Sequence, residues 1–157
     1  MHRVTALLEP GQGTGLPFDM VVLEHDERRV RRKLLRCVHG DEVLVDFPQT
    51  VTLEPRQLLQ LEDGRTVEVI AAEELLYEIR ARDAGHLLRL AWHIGNRHTP
   101  AQLEESRILI KRDHVLKTML EGLGARVVNV SEPFFAEHGA YHSHSHADAG
   151  HALLVRR

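Results

Sequence analysis

Over its first half the chain alternates apolar and polar positions with a period near two. The runs VTALLE (4–9), FDMVVLE (18–24), DEVLVDF (41–47), VTLEP (51–55) and TVEVIAAEE (66–74) are rich in β-branched residues, and Gly, Pro and Asp separate them. Turn dipeptides stand at Gly40-Asp41 and Asp63-Gly64. Strands with such punctuation predict a small all-β domain over residues 1–73.

Near Ala72 to Leu75 the pattern changes to strand, helix, strand, strand, helix, strand. LLYEIRA (75–81) reads as the first strand. A helix is predicted from Asp83 to Asn96, with Leu87, Leu90, Ala91 and Ile94 on one side and His86, Arg89, His93 and Asn96 on the other; Gly95 suits its end. Short strands follow at 101–104 and 107–111. Asp113 is a fitting N-cap for a second helix that ends at Gly122 or Gly124. Its apolar side gathers Val115, Leu116, Met119, Leu120 and Leu123, which leaves His114, Lys117, Thr118 and Glu121 facing away. ARVVNVSEPF (125–134) supplies the last strand. The βαββαβ order predicts an α+β protein whose second domain, residues 74–136, is ferredoxin-like. Residues 137–157 offer little to bury and read as a mobile, histidine-bearing C-terminal tail.

Composition narrows the function. The chain has 157 residues, 43% of them hydrophobic, yet no apolar run approaches the roughly 20 residues of a membrane span. No export signal opens it, and one cysteine, Cys37, makes no internal disulfide, so a soluble cytoplasmic protein is expected. A formal charge of −3 and 4% aromatics argue against general nucleic-acid binding, and the basic run Arg28 to Arg36 reads as a solvated face.

What stands out is 12 histidines, five of which (His138, His142, His144, His146, His151) fall in the last 20 residues. Imidazole is the commonest protein ligand for borderline transition metals. In HSHSHAD, an extended backbone projects His142, His144 and His146 to one side, where neighbouring rings can chelate one ion. With no partner ligand at helical spacing, His114 reads first as a solvent-exposed or capping histidine at a helix start; the alternative is an exposed ligand that meets its symmetry mate, since across a two-fold axis one ring becomes two. His93 sits on the polar side of the first helix, and His98 is expected to bond backbone in the turn that follows. Cys37 reads as a small buried apolar residue.

Two rival functions are weak on these residues. HSHSHAD superficially matches the HxHxD signature of zinc hydrolases but lies close to the chain end, without the scaffold such a site needs. An RNA-binding ferredoxin-like sheet would carry a pair of stacking aromatics, which LLYEIRA and RILIKRD do not supply.

AWHIGNRHTPAQ (91–102), RILIKRDHVLKTMLEGLGA (107–125) and SEPFFAEHGAY (131–141), in this order and ahead of a histidine-bearing tail, resemble the urease accessory protein E family. The resemblance covers residues 75–141 and extends to the β pattern of the first half. It implies a homodimeric nickel metallochaperone, without enzymatic activity, that hands nickel to apo-urease. It further implies that the RDHV histidine, here His114, meets its symmetry mate at the interface. Tail histidines, here His142, His144 and His146 with His151 beyond them, then complete or load the site. The partners implied are the urease accessory GTPase and the apo-urease accessory complex, with no nucleic acid and no membrane. Zinc and copper compete for the same nitrogens. Because imidazole ligates only when neutral, nickel affinity is expected to weaken below about pH 6.5.

Overall fold

A computed structural model describes residues 1–139. The period-two pattern becomes six strands: β1 (His2–Leu8), β2 (Asp19–Leu23), β3 (Arg29–Arg36), β4 (Glu42–Thr52), β5 (Leu58–Leu61) and β6 (Thr66–Ala71). They form one sheet in the order β2-β6-β5-β1-β4-β3. β1 with β4 and β2 with β6 are parallel, and the other pairs are antiparallel. Alternate residues point inward, so Val21, Leu23, Val43, Val45, Leu59, Leu61, Val67 and Val69 make one buried core.

Several expectations needed correction here. The basic run is not merely a solvated face: from Arg29 on it is edge strand β3, with Val30 and Leu35 buried between exposed arginines and a lysine, and Arg28 ahead of it is buried. β5 was hidden in RQLLQLED because it is buried along nearly its whole length and so lacks alternation. VTLEP is no separate strand, since its first two residues end β4, whose register against β3 jumps between Val30 and Arg32. TVEVIAAEE splits at Ala72 between β6 and the strand that opens the second half.

That half runs β7 (Glu73–Arg80), α1 (Ala84–Asn96), β8 (Ala101–Leu103), β9 (Ile108–Lys111), α2 (His114–Gly122) and β10 (Arg126–Pro133). The sheet is antiparallel throughout, in the order β10-β7-β9-β8, which is the ferredoxin-like arrangement. Leu90 and Ile94 of α1 and Leu116 and Leu120 of α2 pack on Tyr77, Ile79, Ile108 and Ile110, so both helices cover one face. Leu76, Leu109 and Phe134 form a smaller cluster of their own.

Two side chains and one helix end depart from their expected places. His86 is buried at 5% exposure rather than facing water. Val115 is 54% exposed, outside the helix-sheet core to which periodicity assigned it. Helix α1 ends not through Gly95 but through His98, held at φ 54°, whose N–H donates to the Gly95 carbonyl at 3.0 Å.

Candidate functional site

His114 is the first residue of α2, and its placement follows from its two predecessors. Asp113 adopts an extended backbone and its Oδ1 accepts from the N–H groups of Val115 and Leu116 at 2.8 and 3.1 Å. This satisfies two of the orphan donors at a helix start. Arg112 reaches back over the sheet, donating from Nε to the Leu76 carbonyl at 3.1 Å and from Nη2 to the Val130 carbonyl at 3.1 Å. One turn on, Thr118 Oγ1 donates to the His114 carbonyl at 3.0 Å. The backbone under His114 is thus fixed on both sides while its ring stays exposed beside exposed Val115.

Strand register says where the tail leaves. Leu76 of β7 lies opposite Lys111 of β9 on one side and Val130 of β10 on the other. β9 and β10 both run toward the β7 N-terminus, so α2 and the C-terminal segment depart from the same end of the sheet. The base of that segment is held firmly. Glu137 N–H donates to the Ala101 carbonyl at 2.8 Å, Phe135 N–H to Gln102 Oε1 at 2.9 Å, and Arg28 Nη2 to the Phe134 carbonyl.

A charged junction joins the two halves at this end. His25 Nδ1 lies 3.0 Å from buried Glu74 and its Nε2 2.8 Å from Asp26, with the ring edge-on to Phe134 at 4.7 Å. Lys111 Nζ stands 3.5 Å from Asp26 and 3.6 Å from Glu74. Partial burial pushes its ammonium down, but Asp26, Glu74 and Glu24 outweigh that and hold it above its ordinary value. Sequence reading missed this junction and Arg112, because most of their partners lie 18 to 85 residues apart and leave no local pattern.

The remaining candidates are dispersed. His93 stacks edge-on against Trp92 at 5.1 Å, and His98 is exposed in its turn. Cys37 is buried in the N-terminal core; burial, then Asp19 and Asp41, push its thiol up to about 11, the opposite of an activated nucleophile. Among the described residues no three His, Cys, Asp or Glu side chains gather to hold a metal. His142, His144, His146 and His151 lie outside the described residues. No helix among the described residues is long and apolar enough to cross a membrane.

Comparison with known proteins covers the same two halves. The family model described as UreE urease accessory protein, N-terminal domain, matches residues 2–72, and its C-terminal-domain counterpart matches residues 74–153. The urease accessory protein UreE of Rhizobium meliloti is 52% identical over 147 residues, covering 94% of this chain and 96% of that protein. That of Rhizobium rhizogenes is 52% identical over 92% of this chain and 86% of its own length. That of Mesorhizobium japonicum is 54% identical over 88% and 71%.

Proposed function

The chain belongs to the UreE family of urease accessory proteins, and from that premise we propose that it is a cytoplasmic, homodimeric nickel carrier that serves urease maturation without catalysing a reaction. The reading rests above all on His114: a ring left exposed on a rigid support, at the sheet end from which the tail departs. Exposed Val115 beside it gives a second copy an apolar surface to meet, so that two imidazoles form an open site. Gly139 is three residues from His142 and seven from His146, so the tail rings have contours of about 10 and 23 Å in which to close on that site.

Openness suits a carrier. An all-nitrogen site with a movable cover releases its ion more readily than a closed thiolate cage. Imidazole alone does not select nickel, because copper binds it more tightly and zinc comparably; the cargo is inferred from family membership. The recipients on this reading are the urease accessory GTPase and the apo-urease complex.

The test is calorimetry with nickel, zinc and copper on the full chain, on His114→Ala and on a chain ending at Tyr141, with mass measured by light scattering. A dimer whose shared nickel is lost in His114→Ala, and bound more weakly after truncation, is expected. Parent stoichiometry and affinity in His114→Ala, or a monomer in the presence of nickel, overturns the reading.

A further inference from the structure

At the sheet end away from His114, three arginines line one cleft. Strand register sets Arg80 of β7 directly opposite Arg126 at the start of β10. Like charges facing each other across antiparallel strands destabilise a sheet, and such local violations concentrate where a protein has a use for them. Arg82, two residues beyond Arg80, brings a third guanidinium whose Nη1 lies over Gly124. Together they line an open cleft of about 600 Å³, floored by Gly124 at φ 87° and walled by Val128 and Glu78.

The acids nearby are already engaged. Glu78 gives one oxygen to Arg80 Nε at 2.8 Å and the other to Arg107 Nη1 at 2.9 Å. Those two arginines hold its carboxyl below the usual range. Arg80 also reaches Ser106 Oγ at 3.3 Å, leaning toward Glu78 and away from Arg126. Asp83 spends Oδ1 on the His86 N–H, and its Oδ2 is 3.8 Å from Arg82 Nε, a solvent-exposed pairing of little energetic weight. No carboxylate pairs with Arg126 among the described residues. Positive charge therefore remains in the cleft at Arg82 and Arg126.

We propose that this cleft binds a phosphoryl oxyanion, clasped between Arg82 and Arg126 with Arg80 behind them. Planar guanidinium groups match the oxygen spacing of a phosphate and donate two parallel hydrogen bonds each, and a third cation fits a group of more than one negative charge. Free phosphate and the phosphate tail of a nucleotide share this chemistry; the cleft is roomy enough for either. The site does not depend on the metal reading, being at the opposite end of the sheet.

The experiment follows backbone amide resonances of the full chain, in chelator and at constant ionic strength, while orthophosphate, pyrophosphate or GTP is added. Saturable shifts at Arg82, Gly124, Ala125 and Arg126 are expected. Arg126→Gln and Arg82→Gln each weaken binding about tenfold, the loss expected when a hydrogen bond to a charged group is removed. Arg36→Gln, an equal change of net charge on exposed β3, leaves it unaltered. Tighter binding of GTP than of orthophosphate identifies a carried phosphate, and equal binding the free anion; both support the site. Non-saturating shifts, an equal response to sodium chloride, or equal weakening by Arg36→Gln overturns it.

Discussion

Arg112 donates from Nη2 to the Val130 carbonyl at 3.1 Å, and through this contact the residue two before His114 is tied to the strand that leads into the C-terminal segment. Its Nε does the same to β7 through Leu76. A helix start and a tail base, already joined through β7, thus share a side-chain anchor as well. Arg112→Ala is expected to cost about 1–3 kcal/mol in urea denaturation, as for loss of hydrogen bonds from a charged donor. It is also expected to weaken nickel binding several-fold although no ligand is touched. Lysine, which lacks the fork, should restore little of either effect. Unchanged nickel affinity in a measurably destabilised variant would separate Arg112 from the site.

How much of this was legible beforehand depends on whether the information is local. Asp113 was readable as a cap because a cap acts within three residues of itself. The exposure of His114 was readable because helical period assigns faces. His86 defeated the same reasoning: the period puts it with Arg89 and His93, yet its ring is drawn inward by a partner 37 residues away. Val115 failed in the other direction, since a face that meets no element of its own chain still looks apolar in sequence. β5 and the bulged pairing of β3 with β4 depend on neighbours across the sheet, which no window along the chain contains.

Asp19 ties the start of β2 to the turn after β3. Its Oδ1 accepts from the Met20 N–H at 2.7 Å and lies 2.8 Å from His39 Nδ1. Burial pushes the carboxyl up, but the Met20 N–H and His39 outweigh it and hold it below its ordinary value. A carboxyl depressed by folding contributes stability above its unfolded value, near pH 4, and loses it as pH falls through the folded value. Asp19→Asn should therefore be less stable than the parent at pH 7 by about 1–2 kcal/mol, with the gap narrowing at pH 3. A gap that stays constant between the two pH values would mean that the charge is irrelevant and only shape was lost.

Cys37 should be silent in the native protein. Its thiol is buried and pushed up to about 11 by burial and by Asp19 and Asp41, so almost no thiolate exists near neutrality. Ellman's reagent is expected to titrate no thiol until urea unfolds the N-terminal sheet, and the labelling curve should overlay the unfolding curve. Rapid native labelling would show that this core opens locally.

His86 supplies the sharpest contrast between a structural and a ligating histidine. Its Nδ1 accepts from the Arg82 N–H at 3.2 Å, so the proton belongs on Nε2, which faces the Leu123 carbonyl at 2.8 Å. Both nitrogens are spent on backbone, and the ring welds the head of α1 to the foot of α2. From there to His114 is the length of a nine-residue helix, about 13 Å. His86→Ala should lower stability by about 1–3 kcal/mol, because two part-buried hydrogen bonds and the packing of a buried ring go together. Nickel stoichiometry and affinity at pH 7 should stay within about twofold of the parent, since both ring nitrogens are already engaged. Loss of nickel with folding intact would place a ligand on the wrong end of α2 and break the link between exposure and ligation on which the assignment of His114 depends.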